Sequence, residues 1–548
     1  MLAELNNQQR CAVESEADKL LVLAGAGTGK TFTMLERISK LVSKGVSPSS
    51  ILVLTFTNAA AFEMKERYKY SHKGKAIPEF RTFHSFCYSL IINDIEVRKK
   101  LGYFKVPKVA DDSDVKRIKT KARMMCGTKL NENKLTGNTP VSQSEKFEKD
   151  VYWKQYNKLM KDEGLITFDT LCYGVCYLFS SNSECVTKYK DMYKYIFVDE
   201  FQDTDKKQYE FVSSFESAHL FVVGDALQSI YSFRGASPDI IKSLSNDSVW
   251  TSIKLFENYR STQQICDFAN NMSKYADESY RIEIHSDRQG SDVVVEYKED
   301  PDYDEPVGQM CLSDIIKRLK TLEGTSAILC RTNAEVDYVV NVLTSKGLTC
   351  RTGKRNVDAV NILKSVTDSE YMVSWLATFL NAAKYAEYIR LTSIKKDEES
   401  ELDTLLNNFS NIFAIKTRLS KIVEIRNIIK SDKLRFQKCA DILKTLELPM
   451  DVQVDTEVDK ASDFLNNLIE AISEDFESDL YVGTIHSSKG LEYNNVFLLN
   501  VDTRLFKLDN EDNLNLYYVG ITRAKNNLYI YYQEDEDDFS YVSRYQVE

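Results

Sequence analysis

The segment Ala24-Gly25-Ala26-Gly27-Thr28-Gly29-Lys30-Thr31 constrains this chain more than any other. It follows the apolar run Leu20-Leu21-Val22-Leu23 and opens a helical pattern, so it reads as strand, Gly-rich loop and helix start. The glycines let backbone N–H groups turn inward on phosphate oxygens, and the helix start adds its positive dipole end. In that setting Lys30 neutralises the terminal phosphates of a nucleoside triphosphate, and the Thr31 hydroxyl is a ligand for Mg²⁺. Ala24 stands where the strict pattern has Gly; a Gly-rich turn before a helix is the plain alternative.

A second signal removes that alternative. Val198-Asp199-Glu200-Phe201-Gln202-Asp203-Thr204 follows an apolar strand starting at Tyr195. An acid at a strand end suits a metal ligand, here Asp199, and the adjacent Glu200 is placed to take a proton from an attacking water. Hydrolysis also needs cations that act late, and Arg260 and Arg523 are the candidates. Both fall in the later part of the chain, so their reach to a phosphate on the earlier part would make closure of a cleft depend on nucleotide.

Two sets of short β-rich runs alternate with helical patterns, which predicts two α/β domains with buried parallel sheets. The expected boundaries are 1–87 with 169–249 for the first, interrupted by a Lys-rich helical insertion at 88–168. The second takes 250–365 with 478–548, interrupted by a charged helical insertion at 366–477. The N-terminus lacks the pattern of a signal peptide and the longest apolar runs are too short to span a bilayer, which predicts an intracellular, cytoplasmic protein without a membrane partner. The net charge of −11 argues against a protein that coats nucleic acid through charge alone, yet leaves room for a narrow aromatic and basic track. Among the 11 cysteines, Cys172, Cys176 and Cys185 come nearest to a cluster; their spacing fits neither a zinc nor an iron–sulfur pattern, and reduced, mostly buried thiols are expected.

The order of motifs resembles that of the UvrD/Rep/PcrA family of superfamily 1 DNA helicases over residues 5 to about 525. Leu5-Asn6-Asn7-Gln8-Gln9-Arg10 is similar to the family's adenine-reading motif, with Gln9 as the reader and Arg10 beside it. Thr55-Phe56-Thr57-Asn58 and Thr82-Phe83-His84 resemble its strand-contacting motifs. Gly224-Asp225-Ala226-Leu227-Gln228-Ser229-Ile230-Tyr231-Ser232-Phe233-Arg234-Gly235-Ala236 and Gly483-Thr484-Ile485-His486-Ser487-Ser488-Lys489-Gly490-Leu491-Glu492 resemble two more.

The resemblance implies two RecA-like P-loop NTPase domains, each with a mainly helical insertion. It implies ATP with Mg²⁺ as the fuel, single-stranded DNA and ss/ds junctions as the track, and 3′→5′ movement. By position, Gly25 to Phe32 would surround the phosphates and base, Tyr259 would stack on the adenine, Glu492 would touch the ribose, and Gln228 would sense the γ-phosphate. Phe56, Tyr231 and Phe233 would meet bases, with Thr57, Asn58, His84, Arg234, Arg331, Thr484 and His486 at or behind the DNA backbone.

The chain departs from the family at Phe32, where an Arg is usual, and at Ala59, where a Lys is common. The acidic run Glu534 to Asp538 would repel DNA phosphates, so translocation is expected to exceed unwinding. Two basic stretches, Lys116 to Arg123 and Lys416 to Lys438, are candidates for duplex contact; for the latter, Ile415, Leu419, Ile422, Ile425 and Ile429 also fit an amphipathic helix with a solvated face. The rival reading is an ATP-gated DNA-sensing subunit that regulates a partner nuclease, by analogy with defence complexes of the Gabija kind; a repair protein is the other partner expected.

Overall fold

The computed structural model describes residues 5–72, 76–110, 112–136, 140, 142–274, 278, 280–297, 307–352, 363, 421–422, 424–425, 478–501, 506 and 510–532. Chain contacts divide it into two units, Met1–Glu335 with Thr484–Glu548, and Val336–Gly483.

The first unit opens with α1 (Asn7–Glu14), whose N-terminus is closed by a capping box between Asn6 and Gln9. Six strands then build one sheet: β1 (Lys19–Ala24), β2 (Ile51–Thr55), β3 (Glu79–Thr82), β6 (Tyr195–Val198), β7 (His219–Gly224) and β8 (Thr251–Leu255), in the order β3-β2-β6-β7-β1-β8. Every pairing is parallel. Leu20 to Leu23 and Ile51 to Leu54 are essentially inaccessible, as a sheet covered on both faces demands. Val22, Val53, Phe197 and Val223 join Met34 and Ile38 of α2 (Lys30–Ser43) and Met64 and Tyr68 of α3 (Asn58–Ser71) in one core. Because all strands are parallel, every loop at their carboxyl ends lies along one rim, the place where such sheets bind ligands.

Between β3 and β6 come α4 (Phe83–Asn93), α5 (Ile95–Lys100), α6 (Asp112–Cys126), α7 (Glu132–Thr136), α8 (Gln143–Asp162) and α9 (Phe168–Ser180), with the short parallel pair β4 (Lys108–Val109) and β5 (Leu165–Ile166). The middle of this stretch has its own core of Ile118, Ala122, Leu130, Leu135, Tyr152, Tyr156 and Leu159. The indole of Trp153 donates to the Leu135 carbonyl at 2.9 Å and ties α8 to α7. The basic run Lys116 to Arg123 is tied up by acids: Arg117 and Lys121 pair with Glu163, and Lys119 and Arg123 with Glu132. α10 (Thr187–Met192) leads into β6, and α11 (Lys206–Ser213) links β6 to β7.

One boundary differs from expectation. Thr251–Leu255, assigned from sequence to the second α/β set, pairs with β1 along Leu20↔Thr251 to Ala24↔Leu255 and forms the edge of the first sheet. Arg260 follows this strand, so it too belongs to the rim of the first sheet.

The same unit holds a second parallel group: β9 (Val294–Tyr297), β10 (Ser326–Cys330), β13 (Tyr493–Val501) and β14 (Ala524–Tyr532), in the order β10-β13-β14-β9. Its central strands are again continuous apolar runs, with Val496 to Leu499 inaccessible. In the second unit, β11 (Arg351–Thr352) pairs in parallel with β12 (Leu480–Thr484). Most of the expected insertion 366–477, most of Lys416 to Lys438 and the acidic run lie outside the described residues; of the apolar stripe, Ile422 and Ile425 are described and buried. Among the described residues no helix is long and apolar enough to cross a membrane.

Candidate nucleotide site and aromatic track

The Gly-rich loop leaves β1 and enters α2 through two left-handed glycines, Gly27 at φ +71° and Gly29 at φ +81°. No side chain caps α2, because its N-cap is Gly29. The first-turn N–H groups are therefore not spent on a cap, as a phosphate cradle requires. The Thr28 hydroxyl closes the loop on the Gly25 carbonyl at 2.8 Å. From β8, Asn258 donates to the Ala26 carbonyl at 2.7 Å, and the Tyr259 N–H donates to the Gly27 carbonyl at 2.9 Å. A Cβ on Gly27 would meet the Asn258 amide at 2.7 Å, so only glycine fits under that clamp.

Gln9 is 2% exposed, and both ends of its amide are engaged. Its nitrogen donates to the Thr28 carbonyl at 3.1 Å and its oxygen accepts from the Asn6 N–H at 3.2 Å. It braces the loop from behind. Arg10 is exposed and turns back to the Leu5 carbonyl. Tyr259 is 53% exposed, its hydroxyl held by the Asn6 amide at 2.8 Å and donating to Glu257 at 2.9 Å. Phe32 is half-buried in the first turn of α2.

The acids form a second layer. Thr31 donates to Asp199 at 3.3 Å across 168 residues of sequence. Burial, then the neighbouring Glu200 charge, push the Asp199 carboxyl up to about 7. Glu200 sits at φ +50°, a left-handed position a non-glycine residue holds at a cost of about 1–3 kcal/mol. Burial opposes its ionisation, yet Lys30, Lys489, a hydrogen bond from Gln202 and Arg523 together hold it at about 2. Glu200 is thus ionised at neutral pH. Asp203 is 4% exposed and pairs with Lys489 at 2.6 Å; burial still lifts it to about 6, and its second oxygen has no hydrogen-bond partner among the described residues. A buried acid facing a hydroxyl is an oxygen-donor pair suited to a hard divalent cation, so Thr31 and Asp199 fit Mg²⁺.

Gln228 joins the layers. Its nitrogen donates to Asp225 at 2.7 Å and its oxygen accepts from Arg523 at 3.2 Å. Its backbone carbonyl accepts from Lys489 at 2.7 Å. The two arginines expected to play equal parts differ. Arg523 is 1% exposed and bonded to the Val519 and Leu491 carbonyls; burial, then nearby Arg260, lower it to about 9. Arg260 is held by Glu492 at 2.7 Å, and Glu492 also pairs with Lys525 at 2.6 Å. Glu492, expected at a ribose, is engaged by two cations.

Beyond Gln228 the rim becomes aromatic. Phe56 stacks on Tyr231 with centroids 5.1 Å apart and planes 19° apart. Phe233, 69% exposed, meets Tyr231 at 6.0 Å and His486 at 6.1 Å, both edge to face. The Lys489 ammonium lies 4.9 Å from the Tyr231 ring centre. Thr57 caps α3 through the Ala60 N–H, and Asn58 accepts from the Thr82 hydroxyl at 3.4 Å. Thr484 accepts from the Ser487 N–H at 3.2 Å. His84 and Arg331 stand apart from this row, His84 against Phe168 at 6.2 Å and Arg331 against Asn513 and Phe506. Arg234 closes the 3₁₀ turn Ser232–Arg234; its side chain lies outside the described residues.

Sequence reasoning passed over Lys489, Asp203 and Asn258. Lys489 stood inside a quoted motif, but its partners lie 286 and 261 residues away, a pairing no local pattern announces.

Two family models match the chain. One, described as the UvrD/REP helicase N-terminal domain, matches residues 5–248, and the other, the UvrD-like helicase C-terminal domain, matches 357–535. Similar proteins include a "Probable DNA helicase II homolog" of Mycoplasma capricolum subsp. capricolum, 27% identical over 99% of this chain and 86% of the relative. The "ATP-dependent DNA helicase PcrA" of Bacillus subtilis is 28% identical over 97% of this chain and 83% of its own length. A second "Probable DNA helicase II homolog", of Mycoplasma pneumoniae, is 29% identical over 96% and 84%.

Proposed function

This chain belongs to the UvrD/Rep-type helicases, whose motor domains are RecA-like, and on that premise we propose that it hydrolyses ATP to move 3′→5′ along single-stranded DNA and to separate strands at ss/ds junctions. The observation that carries the reading is Lys489. One ammonium pairs with Asp203 beside the acids, donates to the Gln228 carbonyl, and lies over Tyr231 at the head of the aromatic row. A change at the phosphate end therefore reaches the track through one side chain.

In this reading ATP lies along the Gly-rich loop with its phosphates on the first turn of α2 and on Lys30. Mg²⁺, held by Thr31 and Asp199, would neutralise charge on the phosphate oxygens. Glu200, ionised and positioned by its strained backbone, takes a proton from water as the water oxygen attacks the terminal phosphorus. The bond to the bridging oxygen breaks, and ADP and phosphate form. Gln228, already bonded to Asp225 and Arg523, is placed to register the loss of the terminal phosphate. Arg260 reaches the phosphate only by leaving Glu492, so its arrival is the late step. Bases stack on Phe56, Tyr231 and Phe233, contacts that need only a π-face and ignore sequence.

The test pairs a duplex bearing a 3′ single-stranded tail with its 5′-tailed counterpart, following ATP hydrolysis and strand separation together with Mg²⁺ present. Unwinding of the 3′-tailed substrate alone is expected. DNA-stimulated hydrolysis without unwinding on either would favour the sensor that regulates a partner nuclease, and hydrolysis indifferent to DNA would overturn the motor.

A further inference from the structure

Beneath the rim, three thiols distant in sequence converge. Cys87 on α4 meets Cys172 and Cys176 on α9, and their sulfur atoms all lie within 4.8 Å of one another. All three are essentially inaccessible, and none is in a disulfide. Cys185, grouped with them on sequence grounds, is not part of the cluster; Cys87, 85 residues before Cys172, takes its place.

The spacing on the two helices is that of a built face. Cys172 and Cys176 are one turn apart on α9, and Phe168 lies one turn before Cys172. On α4, His84 precedes Cys87 by three residues and packs edge to face on that same Phe168 at 6.2 Å. The 4.8 Å grouping itself is made of the three thiols alone. Four-coordinate zinc with Zn–S bonds of about 2.3 Å places its sulfurs roughly 3.8 Å apart, so the trio needs to close by about 1 Å at most. Burial shields the three thiols from water.

The geometry points to a binding site for a thiophilic cation of the zinc class, made of Cys87, Cys172 and Cys176. The ion clamps α4 to α9. Cys87 lies one turn after Thr82-Phe83-His84, so the clamp fixes that segment from below. Three thiols acting merely as small apolar side chains would pack equally well without metal, and the test separates the two.

The full chain, purified under reducing conditions, is assayed for bound zinc and then, after chelation, titrated with Co²⁺. About one zinc per chain and a sulfur-to-cobalt charge-transfer band with tetrahedral d–d absorption are expected. Zn²⁺ should protect the trio from alkylation in the unaltered chain, and a chelator should remove that protection, a readout that needs no variant to fold. Cys87→Ala and Cys176→Ser should each weaken zinc binding by about a hundredfold or more. Cys11→Ser, an exposed thiol outside the cluster, should leave it unchanged. A folded chain that retains no zinc and gives no thiolate–cobalt band overturns the site, as does zinc held equally well by Cys87→Ala.

Discussion

The candidate nucleotide pocket and the aromatic row both draw on one rim of the first sheet, yet they are built by opposite rules. In the pocket, Asp199, Asp225, Gln228 and Arg523 are each at most 5% exposed; burial and neighbouring charges shift the ionisation of the titratable groups, and hydrogen bonds within the protein fix the side chains' orientation. In the row, Phe233 is 69% exposed, and its contacts are with other rings. Chemistry on a phosphate needs dipoles fixed before the reaction, away from water. Gripping a strand of any sequence needs flat apolar faces that a base can reach. A net charge of −11 offers a polyanion little overall attraction, which gives stacking in the row a larger share of any grip.

That contrast can be broken most sharply at Glu200. Glu200→Gln should lower ATP turnover by about 10²–10⁴-fold while single-stranded DNA binding without nucleotide changes little. Parallel ATPase and fluorescence-anisotropy assays check this, and equal losses in both would merge the two regions. Next comes the link between them. Lys489→Met strands the buried Asp203 and should cost about 3–5 kcal/mol of stability, read as a fall in Tm, with Asp203→Asn in the same chain restoring much of it. The single variant should also lose DNA stimulation of hydrolysis.

A smaller effect is expected in the row: Phe233→Ala should weaken single-stranded DNA by about 1–3 kcal/mol, equally for different base compositions. A loss confined to one base would mean readout rather than stacking. The smallest effect is in pH. Asp203 titrates at about 6, above its ordinary 3.8, so it takes up a proton as pH falls through 6 and the charge facing Lys489 is lost. DNA stimulation should therefore drop a few-fold between pH 7 and 5. Since a raised carboxyl binds its proton more tightly folded than unfolded, this group itself adds stability as pH falls through that window. Asp203→Asn should flatten the profile, and an unaltered profile would remove Asp203 from the link.

The strand–loop–helix form around Gly25 to Thr31 and the strand-end position of Asp199-Glu200 were legible because neighbouring residues set them. The parallel sheets were legible too, since Leu20 to Leu23 and Ile51 to Leu54 are continuous apolar runs. Thr251-Ser-Ile-Lys-Leu was assigned to the wrong set because an edge strand is half solvated and its pairing with β1 bridges more than 200 residues. The same long-range closure hid Lys489 on Asp203 and Cys87 on Cys172. Nor could spacing tell Arg523 from Arg260: one is already seated at 1% exposure, the other still held by Glu492.

Every residue of the pocket and the row on this sheet follows a strand: Lys30 after β1, Phe56 after β2, Asp199 after β6, Gln228 after β7 and Tyr259 after β8. The ladders that hold the sheet end before these positions begin. A lineage can therefore exchange fuel preference, grip or partner by rewriting loops, and leave the scaffold beneath untouched. The second sheet, parallel in the same way, offers the same freedom, so the machine's evolutionary history can be one of edited margins around two inherited cores.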